Sequence, residues 1–177
     1  MESQRGQQTT TAEILIKAGC DVNIADKNGV TPLMKYVEMG NLVLVKELID
    51  HGASVNAKDN KGLTHGMDIN QLNSWNETPL YLATIYSNEQ MVKSLIKSHC
   101  DVNITPVLLE SIRRRETTIA EILINAAGCD VNIADKNGVT PLLESVRGEQ
   151  TTIAEILIKA GCDVNSTDKD GATPLLR

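Results

Sequence analysis

Residues 26–58 read DKNGVTPLMKYVEMGNLVLVKELIDHGASVNAK, 33 residues after which a new Asp-Asn-Lys-Gly opens at Asp59. Each part of this stretch has a local physical task. Asp26-Lys27-Asn28-Gly29 suits a tight reverse turn, because an Asx side chain bonds its own backbone and glycine accepts a positive φ. Thr31-Pro32 supplies an N-cap hydroxyl and then a proline at the first helical position, where its missing N–H costs nothing. Leu33 begins the buried stripe of a short first helix. Asn41 caps a second helix, in which Leu48 and Ile49 face the core and which Gly52 ends in the left-handed conformation. The stretch therefore encodes a turn followed by two short helices.

Outward from this unit the same phrases return. Ala18 to Leu33 and Ala127 to Leu142 share sixteen letters, AGCDVNIADKNGVTPL, and Ala12 to Asn23 matches Ala154 to Asn165. Asp135–Gly138 repeats the turn. Thr118-Ile119-Ala120-Glu121 and Thr152-Ile153-Ala154-Glu155 have the spacing of capping boxes, as does Thr10-Thr11-Ala12-Glu13. Leu157 and Ile158 are the counterparts of Leu48 and Ile49, and Gly128 and Gly161 those of Gly52. Thr-Pro-Leu begins at Thr31, Thr78, Thr140 and Thr173, and Val-Asn closes units at Asn23, Asn56, Asn103, Asn132 and Asn165.

A 33-residue unit with these phrases in phase resembles the ankyrin repeat. The resemblance implies an all-α solenoid of stacked helix-turn-helix units joined by β-hairpin-like turns. It also marks departures. The family's His after Thr-Pro-Leu is replaced by Met34, Tyr81, Leu143 and Leu176, which predicts looser turns. Tyr36 stands where a small residue such as Ala83 is expected, so either the first helices spread or the ring reaches solvent. His99 takes a position that is glycine in other units, at a cost of roughly 1 kcal/mol if the left-handed geometry is kept.

First-helix leucine spacing locates the irregularities: Leu33 to Leu80 is 47 residues, Leu80 to Leu108 is 28, Leu108 to Leu142 is 34 and Leu142 to Leu175 is 33. The units implied are 1–25 (partial), 26–58, 59–104 with an insertion at 59–72, 105–133 with a shortened turn, 134–167 and 168–177 (partial). Between Asn103 and Leu108 the Asp-x-x-Gly turn is missing, which predicts a notch. Glu2-Ser3-Gln4-Arg5 aligns with Glu144-Ser145-Val146-Arg147 inside a first helix, and the chain stops one turn into another. The expectation is a fragment of a longer array, or a frayed one.

Composition bounds the chemistry. There is no Phe and a single Trp, so the core is aliphatic and thin. A net charge of −6 offers no attraction to phosphate backbones or anionic lipid, and no apolar run approaches the roughly 20 residues of a membrane span. The expectation is a soluble protein of the cytoplasm or nucleus that binds neither nucleic acid nor membrane. Cys20, Cys100, Cys129 and Cys162 recur at one place in the repeat, which predicts small buried thiols in a reducing compartment. No phosphate-cradling glycine loop, dinucleotide fingerprint or H-E-x-x-H occurs, and His51, His65 and His99 are scattered. No catalytic residue, cofactor or metal is expected, and the chain is not read as an enzyme.

The function implied by the resemblance is a protein-interaction scaffold or adaptor, monomeric or part of a longer array. Turn tips and outward first-helix positions would form its concave face. Mapping by the Thr-Pro-Leu phase selects Lys27, Asn28, Val30, Glu38 and Met39; then Ser74, Trp75, Glu77, Ile85 and Tyr86; then Arg113 and Arg114; then Lys136, Asn137, Val139 and Arg147. Trp, Tyr and Arg among these are residue types enriched at interface hot spots. The plainer readings are that Trp75 clamps the insertion and that Arg113 and Arg114 form a salt-bridged helix end. Two competing roles are a recruiting segment of a larger enzyme, ubiquitin-ligase adaptor or channel, and a structural spacer. The family resemblance also raises hydroxylation of Asn103 and Asn132.

Overall fold

Reverse turns and short helix pairs alternate along the chain, and the computed structural model describes residues 11–51 and 69–176 of it. The helices are α1 (helical over 11–17), α2 (Pro32–Glu38), α3 (Leu42–His51), α4 (Pro79–Ile85), α5 (Glu89–Lys97), α6 (Val107–Arg113), α7 (Thr117–Ile124), α8 (Pro141–Arg147) and α9 (Thr151–Lys159), followed by a 3₁₀ turn at Pro174–Leu176. No strand occurs among the described residues. Helices of seven to ten residues are too short to persist alone in water, so packing must hold them.

The local code accounts for most entries. The Thr31 and Thr140 hydroxyls accept from the Met34 and Leu143 N–H groups, and proline follows each. Thr78 does the same for the Tyr81 N–H at 3.1 Å. Asn41 caps α3 by accepting from the Leu44 N–H at 3.2 Å, and Asn88 caps α5 through the Met91 N–H.

The capping boxes at Thr118 and Thr152 are not formed. α7 and α9 begin one residue before them, with Glu116 and Gln150 in the cap positions and no side-chain cap bond. The tight turn after each first helix dictates this. Arg115 and Glu149 take a left-handed φ, and the Glu116 and Gln150 N–H groups return to the Ser111 and Ser145 carbonyls, so no room remains for a later start. Thr10, Gly52, Asn56, His65 and the 59–68 part of the insertion lie outside the described residues.

Two further expectations are corrected at the second helices. Leu48 and Leu157 are fully buried, but Ile49 is half-buried and Ile158 is 52% exposed, because the buried stripe runs through Leu44, Val45 and Leu48 in α3 and through Ile153 and Leu157 in α9. One residue further on, a side chain turns out of the contact. Gly161 does follow α9 with a φ of +84°, but α7 ends at Ile124 with Asn125 as its C-cap, and Gly128 serves a separate turn in which the Cys129 N–H donates to the Ala126 carbonyl. The additional alanine in Ala126-Ala127 causes the difference.

The chain divides into two compact units, Met1–Ala83 and Thr84–Arg177. In the first, α2 packs on α3. In the second, α6 packs on α7 and α8, α7 on α5 and α9, and α8 on α9, giving an inner row (α6, α8) and an outer row (α5, α7, α9). The inner helices are buried on several sides: Val107, Leu108, Leu109, Ser111 and Ile112 in α6, and Pro141, Leu142, Leu143 and Ser145 in α8. Small residues sit where rows meet. Ser111 and Ser145 are buried with their hydroxyls donating to the Leu108 and Leu142 carbonyls, so both hydroxyls are paired despite the close packing. Tyr36, at the corresponding place in α2, is partly exposed, the second of the two outcomes anticipated for it.

His99 keeps the left-handed geometry that glycine serves elsewhere, with φ +60°, and its side chain is exposed. His99→Gly is therefore expected to stabilise the chain by about 0.5–1 kcal/mol, read as a higher urea midpoint at unchanged slope. An unchanged or lower midpoint would contradict the assignment of strain to that residue.

Candidate protein-interaction surface

In each described turn a single Asp or Asn organises the backbone. Asp26 Oδ1 accepts from the Asn28 and Val30 N–H groups, and Asp135 Oδ1 from those of Asn137 and Val139. Asp168 Oδ1 holds the Asp170 and Ala172 N–H groups in the same way. At 73–77 the pattern survives with different letters. Asn73 Oδ1 accepts from the Trp75 and Glu77 N–H groups at 3.0 Å each, Asn73 Nδ2 donates to the Glu77 carboxylate, and Asn76 takes the left-handed place of glycine with φ +61°.

Consecutive turns stack through the backbone. Within the first unit, the Ser74 N–H and hydroxyl both donate to the Asn28 carbonyl, at 2.8 and 2.6 Å. Within the second, the Lys169 N–H donates to the Asn137 carbonyl at 3.0 Å. The asparagines of two Asp-Val-Asn phrases add a second tie. Asn103 accepts from the Asp130 N–H and donates to the Gly128 carbonyl, and Asn132 accepts from the Asp163 N–H at 2.7 Å.

Stacking changes the meaning of the arginines. Arg113 donates to Asp135 at 2.6 Å and reaches Glu144 at 3.4 Å, tying α6 to the following turn and to α8. Arg147 repeats the device toward Asp168 at 2.8 Å. Arg114 donates to the Ile85 carbonyl at 2.7 Å. These three side chains are thus held by structural contacts, the salt-bridged reading weighed for Arg113 and Arg114. Sequence inspection misses the pairing because the partners lie 21 to 31 residues away, a separation that only the stacking of units brings to contact distance.

The Arg113–Asp135 pair gives a pH dependence. Burial pushes the Asp135 carboxyl upward, but the Arg113 guanidinium and the Val139 and Asn137 N–H groups outweigh it and hold the group below its ordinary 3.8. The pair's stabilisation is therefore complete above 3.8 and lost as the pH falls through the lower folded value. Arg113→Met is expected to cost about 1 kcal/mol at neutral pH, since the guanidinium is partly solvated. The difference from wild type should shrink in acid, as followed by urea unfolding at pH 7 and pH 3.

The other candidates are presented outward. In the first unit Trp75 is 62% exposed and Met39 45%, while Glu38 is exposed and pairs with Lys35 at 3.0 Å. In the second, Tyr86 is 51% exposed, Ile85 is partly covered, and Lys136 and Asn137 are exposed at the tip of their turn. Val139, mapped to the same face, is instead buried, because it follows the turn and points into the helix layer. The anticipated notch is present in the second unit. A recess of about 420 Å³ opens beside Ile104, Pro106, Arg113, Ile133 and Lys136.

The cysteines do not share one environment. Cys100 and Cys162 are buried, Cys129 is half-buried and Cys20 is exposed, which corrects the expectation of four buried thiols. Cys20 follows α1, in which Ile14 and Leu15 are also exposed. Burial, with Asp101 adding to it, pushes the Cys100 thiol up to about 12, and burial with Asp130 pushes Cys129 to about 11. Neither is poised as a nucleophile. Among the described residues no cluster of His, Cys, Asp and Glu is arranged to hold a metal ion, and no helix is long and apolar enough to cross a membrane.

Known proteins share this architecture. The family model for ankyrin repeats matches in three copies, over residues 2–106, 60–135 and 108–177. Delta-latroinsectotoxin-Lt1a of Latrodectus tredecimguttatus is 45% identical over 58 residues, 32% of this chain and 5% of that protein. Rabankyrin-5 of Mus musculus is 28% identical over 146 residues, 73% of this chain and 11% of that one. The chain thus spans only a small part of the length of either relative. The crystal structure of the ankyrin repeat domain of Bcl-3, a member of the IkappaB protein family, superposes with a TM-score of 0.81 at 17% identity, covering 94% of this chain and 71% of that domain's chain. With turns, helix pairs and family model agreeing along almost its whole length, the chain belongs to the ankyrin repeat family.

Proposed function

We propose that this chain is a protein-interaction scaffold or adaptor whose contact surface is carried by turn tips and first-helix ends. The observation that carries the reading is Trp75. Its indole is 62% exposed on a turn whose backbone is fixed twice over by Asn73 and stacked on Asn28. A large exposed aromatic on a rigid mount contributes nothing to the core, yet loses little conformational entropy on being covered by a partner. Met39 in the same unit and Tyr86, Lys136 and Asn137 in the other are further contact candidates. The arginines serve mainly to hold the array.

The test is affinity capture from cell extract with quantitative mass spectrometry, comparing wild type with Trp75→Ala. The expected result is an at least tenfold loss of one or more partners with an unchanged melting temperature. An identical partner set would overturn the Trp75 assignment and favour a structural spacer.

A second reading is favoured by the small share of its relatives' length that the chain spans. The array would then recruit partners for a larger polypeptide such as an enzyme, a ubiquitin-ligase adaptor or a channel, which the full reading frame decides. Free thiols and a net charge of −6 suit a reducing, cytoplasmic or nuclear setting without nucleic-acid binding. Of the two asparagines proposed for hydroxylation, Asn103 is engaged through both amide atoms and Asn132 through its oxygen, which favours Asn132. Tandem mass spectrometry of proteolytic peptides, which locates an added oxygen on one asparagine or the other, tests this.

A further inference from the structure

We propose that the recess beside Lys136 is a docking seat for a tight Asp-x-x-Gly turn supplied by another polypeptide. The chain itself shows how such a seat is filled. Wherever two described turns stack, the second residue of the later turn donates its N–H to the third-residue carbonyl of the earlier one: Ser74 to Asn28, and Lys169 to Asn137. At both places the glycine of the earlier turn lies against the later turn so closely that a Cβ would stand 3.3 Å from the Asn73 Cα or 3.2 Å from the Asp168 Cα.

Lys136 occupies the same second position in the turn Asp135–Val139, and there the earlier turn is missing. The chain passes directly from Asn103 through Ile104 and Thr105 to the start of α6, with the Val107 N–H closing a small turn onto the Thr105 carbonyl. Among the described residues the Lys136 N–H has no acceptor, although the backbone that presents it is held rigidly by Asp135 Oδ1.

The walls suit a peptide turn. Ile104, 40% exposed, lines the recess with Pro106 and Ile133, giving an apolar floor beside one main-chain donor. Its volume of about 420 Å³ falls within the roughly 300–1,000 Å³ of sites that hold small ligands. The occupant must present a carbonyl to Lys136 and bring its backbone close enough that the facing residue has no Cβ. That is the chemistry of an Asp-Lys-Asn-Gly turn, recognised as an edge strand recognises an added strand, through main-chain bonds with small apolar contacts beside them. The seat lies wholly within the second unit and is independent of Trp75, so either assignment can fail alone.

The test uses the full chain and a cyclised peptide carrying Ile-Ala-Asp-Lys-Asn-Gly-Val-Thr, the sequence of residues 24–31. Binding is followed by anisotropy of a dye on the peptide and by amide NMR of the ¹⁵N-labelled protein. The expected result is saturable binding, with the Lys136 amide among the most shifted signals. A Gly→Val peptide should bind at least tenfold more weakly, as should the Ile104→Asp chain, a substitution at an already solvent-exposed position. Inserting Asp-Lys-Asn-Gly-Val between Ile104 and Thr105 should abolish peptide binding and slow hydrogen exchange at the Lys136 amide. No saturable binding at millimolar peptide would overturn the proposal, as would binding indifferent to the glycine or an unmoved Lys136 amide.

Discussion

Replacing Gly138 with alanine is expected to lower the unfolding free energy by about 2–3 kcal/mol, whereas the same change at Gly161 should cost only about 1–2 kcal/mol. Both residues have left-handed backbones, with φ of +79° and +84°, so both variants carry the conformational penalty of a Cβ there. Only Gly138 faces a neighbour. An added methyl would lie 3.2 Å from the Asp168 Cα and 3.3 Å from the Lys169 nitrogen, while nothing lies within 4 Å at Gly161. The atoms approached are backbone and cannot swing aside, so the turns must separate and stretch the bond from the Lys169 N–H to the Asn137 carbonyl. Urea unfolding of the two variants beside wild type measures the difference. Equal losses would show that stacking of turns contributes nothing beyond the φ requirement.

A wider split is expected between adjacent residues of α9. Leu157→Ala removes a fully buried side chain and should cost about 2–5 kcal/mol through lost transfer energy and a residual cavity. Ile158→Ala removes one that is 52% exposed and should change stability by no more than about 0.5 kcal/mol, with alanine's helix propensity offsetting part of the loss. Denaturant midpoints and slopes for both variants decide the matter. A comparable loss at Ile158 would mean that the outer face of α9 is covered in solution.

Those pairs also mark how far the chain can be read without coordinates. Turns, helix starts with proline and the alternation of short helices follow from bonds that span four residues or fewer, so Asp26, Thr31, Asn41 and Asp135 act as the letters suggest. The missing turn after Asn103 was legible as a spacing, and it corresponds to a recess. Local reading failed where two local solutions compete, as at Thr118 and Thr152, whose capping spacing loses to the left-handed turn at Arg115 and Glu149.

The sequence by itself determined the repeat, its turn chemistry, its aliphatic core and the place of the missing turn after Asn103, because each is a pattern of near neighbours. Tertiary structure alone decided that Cys20 is exposed while Cys162 is buried in the same phrase, and that Arg113 and Arg147 pair with Asp135 and Asp168 of the following turns. It also decided that Lys136 carries a donor with no acceptor among the described residues, beside an apolar floor. The physical reason is common to all three. A residue's burial and partners are set by the element stacked against it, and in an array that element belongs to the next unit along the chain, beyond the reach of any local pattern.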